Sequence, residues 1–455
     1  MKKNIYIIME ITKRELYGNL LLTLYALKNN FNVYIGDTNT YKYLIKRKLI
    51  DASIIHTKSI VHGKLKSELH ESLQKKNFLI TAIDEEHGVL DNLDYIKFFA
   101  SNRLSNKELE KIAAFFCWGK YDYIKLRNFF PNYKKKFHLT GSPRADIWKK
   151  KSIFKKKIDN PIFSKRCILI CTNFSFANNI TSHKWLFKKK RLEGYYDRSP
   201  ELYRKNKIFY DYQKKLLFKF VDLINSLTKR YPNYNFCVRP HPTENVDFWR
   251  THLIKNSNLY INNSKSSSYW IQNSDMIIQS GCTTGSEGII SGKNVINYIP
   301  VNLKVGFGEY LKEISINARN KSQVFEIIEN NKNYKSLNKK FKTKLDKRIL
   351  FNKNIAAKNI SNVWLSLSKG TKNSKNNIFQ ISLSLFIFEN LKLFIQKFIL
   401  LIKGKNIKFK KLLNYKYPDL ERKFIEHEII NLSKHFNLKK KFEVKKLGKR
   451  LFFFK

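Results

Sequence analysis

The sequence holds little cysteine: five residues in 455, at Cys117, Cys167, Cys171, Cys237 and Cys282. Their number is odd and no two form a CxxC pair, so neither a disulfide framework nor a zinc site is indicated. Four of them lie in or beside apolar, strand-like runs, where buried thiols belong. Acidic residues are few as well, 36 Asp and Glu against 88 Lys and Arg, which leaves a formal net charge of +52. Such an excess would suit nucleic acid. Here it is spread along the whole chain among abundant Asn, Ile and Phe, with no zinc-finger spacing and no RNA-recognition motif. Nucleic acid is therefore not expected as the partner, whereas the anionic inner face of a membrane is compatible with the charge. No DxD motif of the metal-binding kind is present, and no metal is expected. The first apolar run, Ile5 to Met9, ends at Glu10, Lys13 and Arg14. It is too short for a signal-peptide core or a membrane span and reads as a first strand of a cytoplasmic protein.

Hydrophobic residues make up 43% and aromatics 14%, enough for two or three domains with their own cores. Strand-like runs alternate with helical ones: 3–9, then a helix over 14–29, then strands at 32–37, 53–55, 78–82 and 113–117. This is the pattern of βαβ units and a parallel sheet. It pauses over 141–165 and restarts with strands at 167–171, 235–238, 275–278 and 294–298, and helices over 210–229 and 283–291. The reading is α/β, with two doubly wound Rossmann-like domains facing a cleft, 1–150 and 151–335. Closing helices follow at 336–368, then a polar linker at 369–377 and a basic, apolar helical tail at 378–455. Segment 178–209 reads as an insertion near the cleft mouth. The apolar stretch 378–402 is broken by Glu389, Lys392 and Lys397 and suits a helix lying at a membrane surface or packed on protein. Residues 403–455 carry 17 Lys or Arg against five Asp or Glu.

Ligands of open α/β sheets bind at the carboxyl ends of the strands, and five segments there carry chemistry. The first is Arg239-Pro240-His241-Pro242, where two prolines stiffen the exit from a strand. An imidazole and a guanidinium at that place can bind a phosphate. The second is Ser280-Gly281-Cys282-Thr283-Thr284-Gly285. Small residues there admit a ligand to the backbone, and the N–H groups of a helix start face an anion. Glu287, one turn on, could accept from ribose hydroxyls, and Lys293 could add charge. The third is Asp84-Glu85-Glu86-His87-Gly88, a source for a general base. The fourth, Glu10 with Lys13, Arg14 and Glu15, could hold a substrate or form salt bridges. The fifth is Gly141-Ser142-Pro143-Arg144-Ala145-Asp146, in which Arg144 and Asp146 could pair as a hinge or Arg144 could touch substrate.

In Ile8-Met9-Glu10-Ile11-Thr12-Lys13-Arg14-Glu15-Leu16 followed by Leu20-Leu21-Leu22, Asp84-Glu85-Glu86, Trp118-Gly119, Gly141 to Asp146, the Arg239-Pro240-His241-Pro242 segment and Gly281 to Gly285, the chain resembles a bacterial surface carbohydrate biosynthesis family. The likeness covers roughly residues 4–365. It implies a GT-B fold and a glycosyltransferase that helps make capsule, O-antigen or similar glycans. The implied substrates are a nucleotide-sugar donor and a glycan or lipid-linked glycan acceptor, with no further cofactor. His-Pro segments also occur in CMP-sugar-dependent sialyltransferases; by that similarity His241 would contact donor phosphate and Glu85 or Glu86 would be the base. The acidic run here departs from theirs, since His87 separates it from Gly88. Three alternatives stay open: polyol-phosphate transfer from CDP-glycerol or CDP-ribitol, a non-hydrolysing UDP-sugar 2-epimerase, and a non-catalytic assembly protein docked on a membrane through 378–455.

Overall fold

The computed structural model describes residues 2–61, 64–85, 103–150, 153–154, 160–198, 200–302, 309–334, 336–370, 376–403, 417–438 and 441–455. Glu86, one of the base candidates, lies outside them. The chain forms two compact units. Among the described residues the first gathers 2–85, 103–147 and 350–455, and the second 148–349.

The first unit is built on a sheet of β1 (Lys3–Ile8), β2 (Phe31–Gly36), β3 (Ile54–Thr57), β4 (Leu79–Ile83), β5 (Ala114–Cys117) and β6 (Phe137–Leu139). The second contains β7 (Arg166–Cys171), β8 (Tyr234–Arg239), β9 (Leu259–Ile261), β10 (Met276–Gln279), β11 (Asn294–Tyr298) and β12 (Ile316–Ala318). Ile5, Tyr6 and Ile7, like Leu169 and Ile170, are wholly buried. Helices cover both faces of a parallel sheet, so its central strands appear in sequence as unbroken apolar runs.

Strand order in the second sheet is β12-β11-β10-β7-β8-β9, with every pairing parallel. The chain moves outward from β7 through β8 and β9, then crosses back to β10 and leaves in the other direction. The reversal opens a crevice between the carboxyl ends of β7 and β10, where such sheets bind ligands. The first sheet repeats this device at β1 and β3, in the order β2-β1-β3-β4-β5-β6.

The C-terminal region is helical at Ile378–Lys403 and Arg422–His435, and it also ends in two strands not evident from sequence. These are β13 (Val444–Gly448) and β14 (Leu451–Phe454), and β14 pairs antiparallel with β2. Phe453 packs its ring on Tyr34 at 4.8 Å. The helix Ala356–Leu367 belongs to the first unit too: its buried Trp364 donates from Nε1 to Thr81 Oγ1 at 3.1 Å.

Candidate functional site

In the second unit, β8 delivers Arg239 to the carboxyl edge of the sheet, and the chain turns through Pro240 and Pro242. The turn is fastened from inside by Glu244, which is buried. Its carboxylate accepts from His241 N–H (3.1 Å), Phe174 N–H (2.9 Å), Thr172 Oγ1 (2.9 Å) and Trp249 Nε1 (3.0 Å). Burial raises its pKa, and those donors pull it back. The carboxylate thereby ties the exit of β7 to the exit of β8. Thr243 N–H donates to His241 Nδ1 at 3.3 Å. A ring nitrogen that accepts is unprotonated, so the neutral imidazole carries its proton on Nε2 and can donate there.

Arg239 is only 6% exposed. Its Nη2 donates to the Lys265 carbonyl at 3.4 Å, and Nε has no partner among the described residues. Among the described residues no carboxylate pairs with it. A buried cation left without a counter-charge costs several kcal/mol, roughly what an arriving anion would recover.

Across β7 from Arg239 lies the loop after β10. Gly281 takes φ +62°, and a side chain there would meet open space, so the backbone conformation is what calls for glycine. Gln279, fully buried, braces the loop by accepting from Cys282 N–H at 2.9 Å and donating to Asn297 Oδ1 at 3.2 Å. The helix Thr283–Ile290 starts immediately after, and the N–H groups of Thr283 and Thr284 lie in its first turn, where no intrahelical carbonyl is available. Thr284 Oγ1 lies against the Cys171 thiol, and Ser286 Oγ is buried with no hydrogen-bond partner among the described residues. Ser280 bonds to Tyr212 of the long helix Pro200–Arg230. Cys171, at the end of β7, lies within electrostatic reach of Arg239, Cys282 and Glu287, which places the two motifs around one point. Burial pushes its thiol up to about 12, so it is no nucleophile at neutral pH.

The insertion is fixed to this edge. Ile180 N–H donates to Thr243 O (2.9 Å), Asn245 N–H to Asn178 O (2.9 Å) and Asn178 Nδ2 to Asn245 O (3.0 Å). Two other expected residues turn elsewhere. Glu287 is buried and accepts from Ser268 Oγ, which ties its helix to the helix Ser267–Asn273. Lys293 sits before the amino end of β11, the opposite edge of the sheet. It donates to the carbonyls of Gln272 (2.9 Å) and Ser274 (2.5 Å), so its expected phosphate contact is corrected to a structural one.

In the first unit the structure brings Glu10, Arg14, Asp84, Glu85 and Arg144 to one sheet edge, around the reversal between β1 and β3. Lys58, unnoticed in sequence, is the hub. It pairs with Glu10 Oε2 at 2.7 Å and Glu15 Oε1 at 3.9 Å, and its carbonyl accepts from Glu85 N–H at 3.1 Å. Arg14 reaches Glu15 at 2.9 Å. Asp84 is held by Arg103 through Nε (2.6 Å) and Nη2 (2.8 Å). Glu85, 8% exposed, receives Arg144 Nη1 on its carbonyl at 2.8 Å and on Oε2 at 3.4 Å. Burial raises the pKa of Glu85, Arg144 opposes that, and Glu15 adds to it. Arg144 also lies over the Trp118 ring, 5.7 Å from its centroid, while Asp146 accepts from Ala357 N–H at 3.1 Å. Arg103 and Lys58 escape sequence inspection because each is separated from its partners in the chain and no local pattern marks it. Among the described residues there is no cluster of three or more His, Cys, Asp or Glu that could hold a metal.

No protein-family model matches the chain, and no curated protein does. Solved structures do. A provisionally named UDP-N-acetylglucosamine 2-epimerase from Listeria monocytogenes is 11% identical over 83% of this chain and 100% of its own, with a TM-score of 0.53. A variant of the wall teichoic acid polymerase TagF is 11% identical over 81% and 89%, with a TM-score of 0.52. A UDP-GlcNAc 2-epimerase from Neisseria meningitidis, bound to UDP-GlcNAc, is 13% identical over 80% and 100%, with a TM-score of 0.50. At these identities the likeness is one of fold, and the fold is GT-B-like: two Rossmann-like α/β units with a helical C-terminal region.

Proposed function

We propose that the second unit binds the phosphate of a nucleotide-activated donor, and that the chain is a glycosyltransferase of bacterial surface polysaccharide synthesis. The observation that carries the first part is Arg239, a buried guanidinium with no carboxylate partner among the described residues, at the edge where the helix Thr283–Ile290 begins. Arg239, His241 Nε2–H and the N–H groups of Thr283 and Thr284 are donors of the kind that stabilise charge on a departing phosphate. The structural relatives are named for UDP-GlcNAc epimerisation and wall teichoic acid polymerisation, and a nucleotide-linked donor is the chemistry this reading borrows from them. The sugar-transfer part rests on the first unit. Glu85, with its raised pKa and its place at the sheet edge beside Arg144, is the candidate base for an acceptor hydroxyl. A CMP-linked acidic sugar is the first donor to try, and a UDP-linked sugar the next.

The test is incubation of the full chain with CMP-, UDP- and CDP-linked donors and candidate acceptors, with products identified by mass spectrometry. A glycosylated acceptor is the expected result. A polyol-phosphate product would convert the reading to phosphotransfer, and an epimer formed without acceptor would overturn transfer altogether. His241→Ala should weaken nucleotide binding by about tenfold or more, the value of one charge-assisted hydrogen bond, with the fold intact. Calorimetry showing unchanged affinity would remove His241 from the site.

A further inference from the structure

The helix Ile378–Lys403 is arranged the reverse of an ordinary surface helix. One face is packed on the first unit: Ile381 and Leu385 are buried, and Leu385 lies against Gly448 of the hairpin β13–β14. Phe388 stacks on Tyr43 at 4.1 Å, and the Tyr43 hydroxyl meets Ser384 Oγ at 2.9 Å. Glu389 accepts from Lys449 N–H at 3.0 Å. The opposite face should be polar in a soluble protein. Instead it carries Phe379, Leu383, Phe386, Ile387, Asn390 and Phe394, at helical spacing. Phe379 is 76% exposed, Phe386 65% and Phe394 67%. Four turns of aromatic and aliphatic side chains thus face outward, interrupted by one amide.

The surroundings say what covers this face. Tyr43 belongs to the helix Thr38–Lys46, which carries Lys42 and Lys46 and is followed directly by Arg47 and Lys48, so all four lie within five residues of the side chain that stacks on Phe388. All four are exposed, and none forms an ion pair among the described residues. Lys392 is exposed too, near the Phe388 ring. An apolar strip beside unpaired cations matches a lipid surface with anionic headgroups. A transmembrane placement is inconsistent with the packed face. The bonds to Tyr43 and Lys449 would draw the adjoining helix and hairpin, with their charges, into hydrocarbon.

We infer that this face is a monotopic docking surface that lies in the plane of an anionic membrane, with Phe379, Phe386, Ile387 and Phe394 as its buried anchors. The inference does not depend on the donor or the reaction. It is tested by flotation of the full chain with vesicles of pure phosphatidylcholine and with vesicles containing about 30 mol% phosphatidylglycerol. Binding to the anionic vesicles alone, weakened by salt, is expected. Phe386→Glu combined with Phe394→Glu should lower the partition coefficient on the order of tenfold or more without shifting the thermal midpoint, because both sites are exposed. Leu385→Glu, on the packed face, should instead lower the midpoint. Unaltered vesicle binding by the double variant overturns the proposal. So does an absence of vesicle binding together with a dimer that the double variant dissociates, since the face would then be covered by a second copy of the chain. Resistance to extraction by salt and alkali would point to a span and overturn it as well.

Discussion

At the scale of the residue, burial gives single side chains opposite values. Arg239 has no carboxylate partner among the described residues, so the fold itself gains little from it. Arg239→Met should reduce nucleotide affinity by about ten- to a hundredfold, the worth of a charged hydrogen bond. It should leave the stability of the unliganded protein unchanged or higher, because the buried charge is gone. A thermal shift assay with and without nucleotide separates the two effects, and a variant that loses stability in both would make Arg239 structural. Glu244 is the contrary case. Its carboxylate satisfies four donors, so Glu244→Ala should cost about 3–5 kcal/mol in urea unfolding. Glu85 gives a pH signature. Its pKa lies above the ordinary 4.5 because burial disfavours the ionised form. A base must be deprotonated, so the acid limb of kcat should fall above pH 4.5, and Glu85→Gln should remove that limb along with most of the turnover. A limb unchanged in the variant would assign the base elsewhere.

At the scale of the element, the helix Thr283–Ile290, proposed to face the donor phosphate, owes its position to glycines of two kinds. A Cβ on Gly288 would sit 2.5 Å from Ile277 Cδ1 and 2.8 Å from Val295 Cγ2, both from strands beneath the helix. Gly288→Ala should therefore lift Thr283–Ile290 from the sheet and cost about 1–3 kcal/mol by overpacking. Gly281→Ala meets no obstacle and should cost about 1–2 kcal/mol through its positive φ alone. Only the first should pay twice, in stability measured by urea and in nucleotide affinity measured by calorimetry. The central strands were legible in sequence because burial on both faces writes Cys167 to Cys171 as an unbroken apolar word. Three-residue β6, β9 and β12 are too short to show a period. In β13 and β14 a pair of adjacent lysines and a Phe run, neither with a period of two, hid a sheet edge within a region otherwise helical. Asp84, Glu85, Arg239 and the 280–285 loop stand out in sequence through their positions at strand ends, and the structure places them there. Lys58, Arg103 and the anchoring part of Glu244 depend on contacts that only the fold creates. The hairpin also changes how the C-terminal region can be probed: removing 378–455 would strip two strands from the first sheet and expose the edge of β2, so point substitutions are the sounder test.

At the scale of the whole molecule, the interior of the first unit predicts a stability that declines in acid. His56 is fully buried between Thr81 and the Trp364 ring, and desolvation lowers its pKa from 6.5 to about 3. A depressed histidine contributes stability above pH 6.5 that is lost progressively as pH falls toward 3. Denaturant unfolding across that range should show a decline that His56→Asn, which cannot take up the proton, makes shallower. An identical slope in both proteins would shift the cause to the carboxylates. The pairing of β14 with β2 has a further consequence, for the order of events at the ribosome. Among the described residues the second unit lies wholly within Trp148 to Ile349, so its sheet can close as soon as that stretch emerges. Phe31–Gly36 must wait through more than 400 residues of synthesis for its neighbour at Leu451–Phe454. The unit translated first is thus completed second, and its open strand edge is the interval's main hazard for misassembly.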